Sequence, residues 1–162
     1  MKKFLSLGSN IGDRIAHLEK ANLLINNHPQ IKIVCKSRIY ETSPMENKDQ
    51  DYFLNQVIEI KTQTLPLELL DIIQNIEINM GRKNRGDKYG PRIIDIDILT
   101  FDNIIVNKKE LSIPHSKIKL RKFVLKPWTD IASDYILPNS KNTIKELLDS
   151  ISHFNDEIRE YN

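Results

Sequence analysis

The order in which the hydrophobic period changes along the chain constrains its fold more than any other feature. Apolar residues first alternate over residues 3–8 and then recur every three to four positions from Ile11 to Ile25. The first pattern predicts a strand, and the second predicts a helix packed on a sheet. The predicted elements are a strand over residues 3–8, a helix from Asp13 to His28, strands over about 31–40 and 54–62, a helix from Pro66 to Gly81 and a strand over 93–101.

This strand–helix–strand–strand–helix–strand order is the ferredoxin-like βαββαβ arrangement, so we predict an α+β fold with an antiparallel sheet. Polar stretches over 42–52 and 82–92 predict two long loops. Residues 114–140 show a less regular pattern. A capping-box pattern at Thr143 then predicts a C-terminal helical extension whose apolar face includes Ile158.

Length and composition limit the classes of protein to which the chain can belong. Its 162 residues fit one domain, so we expect a single domain over residues 1–162. The net charge of +2 gives no global field for nucleic acid or a membrane surface. The single cysteine, Cys35, excludes an internal disulfide framework and a Cys-based zinc site. The first apolar run ends at Gly8, too early for a signal peptide, and no stretch approaches the ~18 apolar residues of a membrane span. We therefore expect a cytoplasmic protein that binds neither nucleic acid nor membrane.

Two acidic residues alternate with isoleucines in the last strand predicted for the core. Successive side chains of a strand point to opposite faces, so Asp95 and Asp97 share one face while Ile96 and Ile98 point the other way. Two carboxylates about 6.5–7 Å apart, two strand rises, can hold a pair of cations. An amphipathic strand with one wet face would show the same pattern. Like charges on adjacent same-face positions repel unless a cation neutralises them. This requirement favours the metal interpretation if a phosphate-binding neighbourhood is also present.

Basic residues cluster on both sides of this acidic pair, although the net charge of the chain is small. Guanidinium groups suit bidentate binding of phosphate, and a divalent cation bridges phosphates to carboxylates. A solvated surface loop is the alternative for the first cluster. The chain contains neither a P-loop motif nor the protein-kinase signature set. The clusters are Arg82, Lys83, Arg85, Lys88 and Arg92 before the pair, and His115, Lys117, Lys119, Arg121 and Lys122 after it.

An amide and an aromatic ring lie close together where the third strand begins. Asn55, two positions after Phe53, can recognise a flat heterocycle by hydrogen bonds while the ring stacks on it. Any strand entry can carry the same residues, so both interpretations stay open on this pattern alone.

A series of short motifs runs along the chain in one order. They are Leu7-Gly8-Ser9-Asn10, Tyr40-Glu41-Thr42-Ser43-Pro44, Phe53-Leu54-Asn55, Ile76-Glu77, Gly81-Arg82, the run from Tyr89 to Leu99, Pro114-His115 and Arg121-Lys122-Phe123-Val124-Leu125. The series closely resembles the 6-hydroxymethyl-7,8-dihydropterin pyrophosphokinase family of folate biosynthesis. The resemblance extends from residue 4 to about residue 150, and the segment from Gly90 to Leu99 is its most diagnostic part.

The resemblance implies an enzyme that transfers the β,γ-diphosphate of ATP to the hydroxymethyl group of the pterin and releases AMP. It implies two Mg²⁺ ions held by Asp95 and Asp97, and we expect a monomer that acts on these two small molecules. The implied catalytic residues are Arg82, Arg92, Asp95, Asp97, His115 and Arg121. The implied ATP-binding residues are Gln74, Arg82, Arg85, Arg92, Ile98, His115 and Arg121. The implied pterin-binding residues are Thr42, Ser43, Met45, Phe53, Asn55, Tyr89 and Phe123.

Some positions depart from what is common in that family. Tyr89 stands where tryptophan is often found, and Asn84 stands where arginine is frequent. Glu46 replaces a common glycine, and Glu110 stands where some members have a basic residue. These differences leave the loop contacts and the details of adenine binding open.

Two other classes of protein share parts of the pattern. Another two-metal transferase, such as a nucleotidyltransferase, can use the same acidic strand, but it would need a groove for a second nucleotide or a polymer. A ferredoxin-like RNA-binding module stacks bases on aromatic side chains of its sheet strands. Here the strand projects Asp95 and Asp97 instead, which would repel RNA unless metal is bound.

Overall fold

The computed structural model describes residues 1–45, 48–83 and 90–162. The elements, numbered along the chain, are β1 (Lys3–Ser9), α1 (Arg14–Asn27), β2 (Ile31–Lys36), β3 (Tyr40–Thr42), β4 (Phe53–Thr62), α2 (Pro66–Asn79), β5 (Asp95–Phe101), β6 (Val106–Asn107), β7 (Ser112–Ile113), a short 3₁₀ helix (Ile118–Leu120), α3 (Lys122–Ala132), α4 (Ile144–Ser150) and β8 (Ile158–Glu160). Across these described segments, no helix combines the length and the apolar character that a membrane crossing requires.

One antiparallel sheet organises the molecule. Within the described residues its strand order is β5-β1-β4-β3-β8, and β2 also pairs with β4. β1 and β4 therefore occupy the centre, and the helices that follow β1 and β4 lead the chain to outer strands. This arrangement confirms the predicted α+β class and the ferredoxin-like order of the core, with the second core strand divided into β2 and β3.

The prediction of one continuous strand over residues 31–40 is wrong, because Ser37 interrupts the ladder. Its hydroxyl accepts a hydrogen bond from the Val57 backbone N–H at 3.0 Å and donates to the Arg38 carbonyl at 2.7 Å. The Gln56 side chain donates from Nε2 to the Ser37 carbonyl at 2.9 Å, and its Oε1 accepts from Asn22 Nδ2 at 2.8 Å. A side-chain oxygen thus replaces a backbone acceptor, and hydrophobic periodicity carries no signal for such an exchange.

The two faces of the sheet carry separate hydrophobic cores. Helices α1 and α2 cover one face, where Leu5, Ile58, Ile73 and Ile98 are buried together. Helices α3 and α4 cover part of the other face, where Phe4, Val57, Leu99 and Trp128 form the second core. Because side chains alternate along a strand, each of the central strands contributes to both cores.

The chain after β7 differs from its prediction. The region with a less regular pattern, 114–140, contains helix α3, although Pro127 lies inside it. A proline removes a donor and disfavours a helix interior, so this helix depends on tertiary packing. The capping box is confirmed, since the Thr143 hydroxyl accepts from the Glu146 N–H at the start of α4. Ile158, however, lies in strand β8 on the sheet edge, so the extension is helical only in part.

We predict that Trp128→Ala destabilises the protein by about 3–5 kcal/mol, because the indole is fully buried and its loss leaves a large cavity. The ring lies 5.0 Å from the Phe4 ring and 5.9 Å from the Tyr135 ring, measured between centroids. Urea unfolding followed by circular dichroism measures the loss. Leu120→Ala is the control, since that side chain is 56% exposed and should change stability by about 0.5 kcal/mol or less. Equal losses in both variants would contradict the packing argument.

Candidate active site

A row of polar side chains lies on the second face of the sheet, beyond the part that α3 and α4 cover. Gly8 of β1 pairs with Asn55 of β4 on one side and with Asp95 of β5 on the other, and Ser6 pairs with Asp97. These positions share the face of Phe4 and Val57, but they lie nearer the end of the strands. We call the cavity above them the cleft, and its volume is ≈ 120 Å³. Its lining consists of Ser6, Gly8, Thr42, Ser43, Pro44, Met45, Gln50, Phe53, Asn55, Gly90, Arg92, Asp95, Asp97, Arg121 and Phe123.

Two arginines from the segments around the second loop hold Asp95. Arg82 donates from Nη1 to Oδ1 at 2.8 Å, and Arg92 donates from Nη1 to Oδ2 at 2.7 Å. Each carboxylate oxygen therefore has its own guanidinium partner. Charge-assisted hydrogen bonds of this length are the strong kind, so they fix the start of β5 relative to both arginines.

Glu77 of α2 supports this arrangement from inside the core. Its side chain is 1% exposed, and Oε1 accepts from Arg82 at 2.7 Å and from the Ile96 N–H at 2.8 Å. The residue was not predicted as part of the site. Glu77 follows Ile73 by four positions, so both lie on the same, buried face of the helix. A carboxylate at such a position is the sequence signal that could have identified Glu77 as a site residue.

Asp97 faces Arg121 and His115. The carboxylate Oδ2 accepts from Arg121 Nη1 at 3.3 Å and lies 3.8 Å from His115 Nε2. Burial in the cleft and the neighbouring charge of Asp95 raise the pKa of Asp97 to about 6. Burial is the larger of these two causes, and the charge of Arg121 opposes both.

His115 presents a defined hydrogen-bond donor to the cleft. Burial and the charge of Arg121 lower the pKa of His115 to about 4, so the ring is neutral at pH 7. Nδ1 accepts from the Lys117 N–H at 3.2 Å, which leaves the ring proton on Nε2, the atom that faces Asp97. The backbone N–H of His115 donates to the Leu99 carbonyl at 2.9 Å and ties this residue to β5.

The donor set of the acidic pair fits a hard divalent cation. Asp95 and Asp97 offer carboxylate oxygens on the same face of one strand, and oxygen is the ligand that Mg²⁺ prefers. These residues therefore fit a metal that also binds phosphate oxygens.

The other half of the cleft combines an amide with two aromatic rings. Asn55 donates from Nδ2 to Thr42 Oγ1 at 2.7 Å, which orients the amide, and Phe53 and Phe123 line the same cavity. Gly8 lies beneath the amide, and a Cβ at this position would lie 3.1 Å from Asn55 Oδ1, closer than an ordinary van der Waals contact. Arg121 connects the two halves, since its guanidinium lies 5.5 Å from the centroid of the Phe123 ring.

Most of the predicted site residues come together here. Thr42, Ser43, Met45, Phe53, Asn55, Arg92, Asp95, Asp97, Arg121 and Phe123 line the cleft, and Arg82 and His115 face the two aspartates. Gln74 is half-buried on α2, and the side chain of Ile98 is packed in the core below the opposite face, so their contacts with a nucleotide stay predictions. Arg85 and Tyr89, with Asn84 and Glu46, lie outside the described residues. Glu110 is exposed between β6 and β7.

Asn10 is a further residue to which the sequence pattern assigned no role. Its amide oxygen accepts from the Arg92 N–H at 2.7 Å, and its backbone N–H donates to the Arg92 carbonyl at 3.0 Å. Its amide nitrogen donates to Gln50 at 3.0 Å. This buried side chain thus joins the segments that precede β4 and β5.

Comparison with known proteins gives a consistent classification. Residues 4–133 match the model of the 7,8-dihydro-6-hydroxymethylpterin-pyrophosphokinase (HPPK) family. A 2-amino-4-hydroxy-6-hydroxymethyldihydropteridine pyrophosphokinase of Bacillus subtilis is 42% identical over 128 residues, which are 79% of this chain and 76% of the relative. A protein of the same name from Methylorubrum extorquens is 39% identical over 147 residues, which are 91% of each chain.

Solved structures show the same fold at lower sequence identity. A structure described as HPPK-DHPS in complex with substrates matches with a TM-score of 0.74 and 18% identity, over 94% of this chain and 43% of that chain. A Plasmodium falciparum HPPK-DHPS structure matches with a TM-score of 0.72 and 21% identity, over 94% of this chain and 44% of that chain. The chain thus spans less than half the length of these structural relatives. A carboxylate pair beside several arginines is the kind of site that suits phosphoryl transfer. The chain belongs to the 7,8-dihydro-6-hydroxymethylpterin-pyrophosphokinase family.

We predict that Glu77→Ala destabilises the protein by about 3–5 kcal/mol. The change removes a buried carboxylate and leaves Arg82 and the Ile96 N–H without the acceptor that both use. Chemical unfolding measures this loss. Asp71→Ala, an exposed acidic position on the same helix, should change stability by about 0.5 kcal/mol or less. A Glu77→Ala variant as stable as Asp71→Ala would show that Glu77 does not hold the site together.

Proposed function

We propose that this chain catalyses the Mg²⁺-dependent transfer of a diphosphate group from ATP to 6-hydroxymethyl-7,8-dihydropterin, with AMP and the pterin diphosphate as products. One observation carries the proposal: a single cleft joins a carboxylate pair surrounded by arginines to an amide beside two aromatic rings. Membership of the family supports the same reaction and a place in folate biosynthesis.

The arginine side of the cleft suits the triphosphate. Arg82, Arg92 and Arg121 are permanent cations, and each has a guanidinium within 3.3 Å of an aspartate oxygen. Their charge can hold phosphate oxygens and neutralise the negative charge that shifts toward the departing AMP. His115 adds a neutral N–H donor on the same side. These residues would position the phosphate groups and neutralise their charge, and phosphoryl transfer depends mainly on these two effects.

The cation implied by the family would be held by Asp95 and Asp97. We propose two Mg²⁺ ions at this pair, and when bound they would offset the charge of the triphosphate and orient it. The two carboxylates contribute their oxygens, and the arginines keep both side chains directed toward the cleft.

The aromatic side of the cleft suits the pterin. A pterin ring is flat, so it can lie against Phe53 and Phe123 while its polar edge pairs with Asn55. The bond from Asn55 to Thr42 fixes the amide before the ligand arrives. Arg121 lies between the two halves, so it would contact the diphosphate as it passes from ATP to the hydroxymethyl oxygen.

We further propose that the chain works as a cytoplasmic monomer and that its partners are these two small molecules. Sedimentation of the purified protein at several concentrations tests the monomer. A concentration-dependent rise in mass would contradict it.

The decisive experiment measures AMP release from ATP by the purified chain. Release should require both Mg²⁺ and 6-hydroxymethyl-7,8-dihydropterin, and it should stop when a chelator is added. Pyrophosphate release with a nucleotide acceptor would instead indicate a nucleotidyltransferase. RNA binding without AMP release would favour the RNA-binding alternative.

We predict that Asp95→Asn and Asp97→Asn each lower kcat by about a thousandfold or more, because each removes a charge that would hold the metal and thereby several kcal/mol of transition-state stabilisation. A coupled assay of AMP formation at saturating substrates measures kcat. Asp134→Asn, an exposed position after α3, is the control and should keep the unchanged rate. A near-normal rate of either site variant at saturating Mg²⁺ would refute the proposed metal site.

We predict that Asn55→Ala weakens pterin binding by about tenfold to a hundredfold and leaves ATP binding nearly unchanged. The loss leaves ligand groups unpaired, at a cost of about 1–3 kcal/mol. Arg121→Ala should show the opposite preference, with a larger effect on turnover and phosphate binding than on pterin affinity. Calorimetric titration of each variant with a pterin ligand and with a non-hydrolysable ATP analogue measures both. If Asn55→Ala weakens ATP binding and spares the pterin, the assignment of the two halves is wrong.

A further inference from the structure

The described residues of the connection between β3 and β4 form part of one wall of the cleft, and the C-terminal segment bonds to both ends of this connection. Ser43, the first residue of this connection, lines the cleft, and Tyr52, its last residue, precedes Phe53, which also lines it. Within the described residues, Glu157 bonds to both ends. Glu157 stands immediately before β8, the edge strand that pairs with β3.

Glu157 bonds to the two ends in different ways. Its backbone pairs with Ser43, because its carbonyl accepts from the Ser43 N–H at 3.1 Å and its N–H donates to Ser43 Oγ at 3.1 Å. Its carboxylate accepts from the Tyr52 hydroxyl at 2.6 Å. This hydrogen bond raises the pKa of Tyr52, so the hydroxyl stays protonated and remains a donor. One residue thus closes the base of the loop from 43 to 52.

A chain of ion pairs from β8 reaches the same end of the loop. Arg159 pairs with the buried Glu41 of β3, and Glu41 accepts from Arg14 Nη2 at 2.6 Å. Arg14 then donates from Nη1 to the Tyr52 carbonyl at 2.7 Å. Both groups of Tyr52 that form these bonds, its hydroxyl and its carbonyl, are therefore linked to the C-terminal strand.

We propose that Glu157 is a positioning residue that clamps Ser43 and Tyr52, the two ends of the connection between β3 and β4, and thereby holds the pterin-side residues Ser43 and Phe53 of the cleft in place. The proposal rests on the proposed function, since it names the pterin as the ligand that benefits. A loop held at both ends loses less conformational freedom when the ligand binds, so the clamp increases affinity for the ligand that contacts this wall. The arginine side of the cleft has no contact with Glu157 among the described residues, so ATP should not benefit.

Three single variants and one double variant test the clamp in the full chain. Glu157→Ala removes the carboxylate and keeps the backbone bonds to Ser43, whereas Tyr52→Phe removes only the hydroxyl on the other side. Glu160→Ala is the matched control, because this carboxylate lies on the same strand and pairs with Arg38 at 2.7 Å, away from the loop. Thermal unfolding of each variant confirms that the protein is folded.

Glu157→Ala and Tyr52→Phe should each raise the Kd of a pterin ligand by about threefold to tenfold, the size expected for the loss of one exposed hydrogen bond of ordinary strength. The double variant Glu157→Ala/Tyr52→Phe should have the same Kd for the pterin ligand as each of these single variants, because all three lack the same hydrogen bond. The Kd of the ATP analogue and kcat at saturating pterin should stay unchanged. Glu160→Ala should give the same values as the wild-type protein in every measurement. Equal weakening of pterin and ATP, or the same effect in Glu160→Ala, would overturn the clamp.

Amide hydrogen exchange of the ligand-free protein tests the clamp independently of the reaction. Exchange at Ser43, Met45 and residues 48–53 should be faster in Glu157→Ala and in Tyr52→Phe than in Glu160→Ala. Unchanged exchange in both variants would overturn the clamp even if the enzyme assay succeeds. If the unchanged protein binds no pterin, the proposed function fails, and the exchange experiment alone then decides whether Glu157 holds the loop.

Discussion

Compensation of negative charge at the start of β5 is the constraint on which the rest of the site depends. Asp95, Asp97 and the buried Glu77 bring three carboxylates close to one strand, and such a group is unstable without cations. Arg82 and Arg92 supply two of these cations and Arg121 supplies the third. The three arginines come from separate parts of the chain. Their ion pairs therefore connect α2, the segment before β5 and the start of α3 to the same sheet.

The alternation of side chains along β1, β4 and β5 explains why the cleft lies where it does. One face of these strands is mostly apolar and is covered by α1 and α2, although Gln56 on this face bonds to Asn22 of α1. The other face is apolar at Phe4, Val57 and Leu99, where α3 and α4 cover it, and polar at Ser6 and Asn55. Helices pack on the apolar part because its burial is favourable, and the polar part remains accessible to a ligand. The same pleat thus determines both the core and the site.

Hydrogen bonds from Asn10 and Glu157 fix the positions of the loops that form the site. Asn10 joins Arg92 to Gln50, and Glu157 joins Ser43 to Tyr52. In both cases one residue bonds to two points, at or beside the cleft wall, that lie far from it in the sequence. A site built from loops needs such contacts, because binding energy is otherwise used to order the chain.

The sequence by itself determined the α+β class and the order of the core elements, since these follow from local periodicity. Most of the cleft residues were implied by the motifs that carry the family resemblance. Asp95 and Asp97 share a face because strand geometry requires it. The sequence did not predict the break at Ser37, helix α3 around Pro127, or the return of Ile158 to the sheet edge. Only the tertiary structure decided these features, together with the hydrogen bonds of Glu77 and Glu157. Each depends on a partner far along the chain, and no local pattern records which distant group will complete a hydrogen bond or cover an apolar surface.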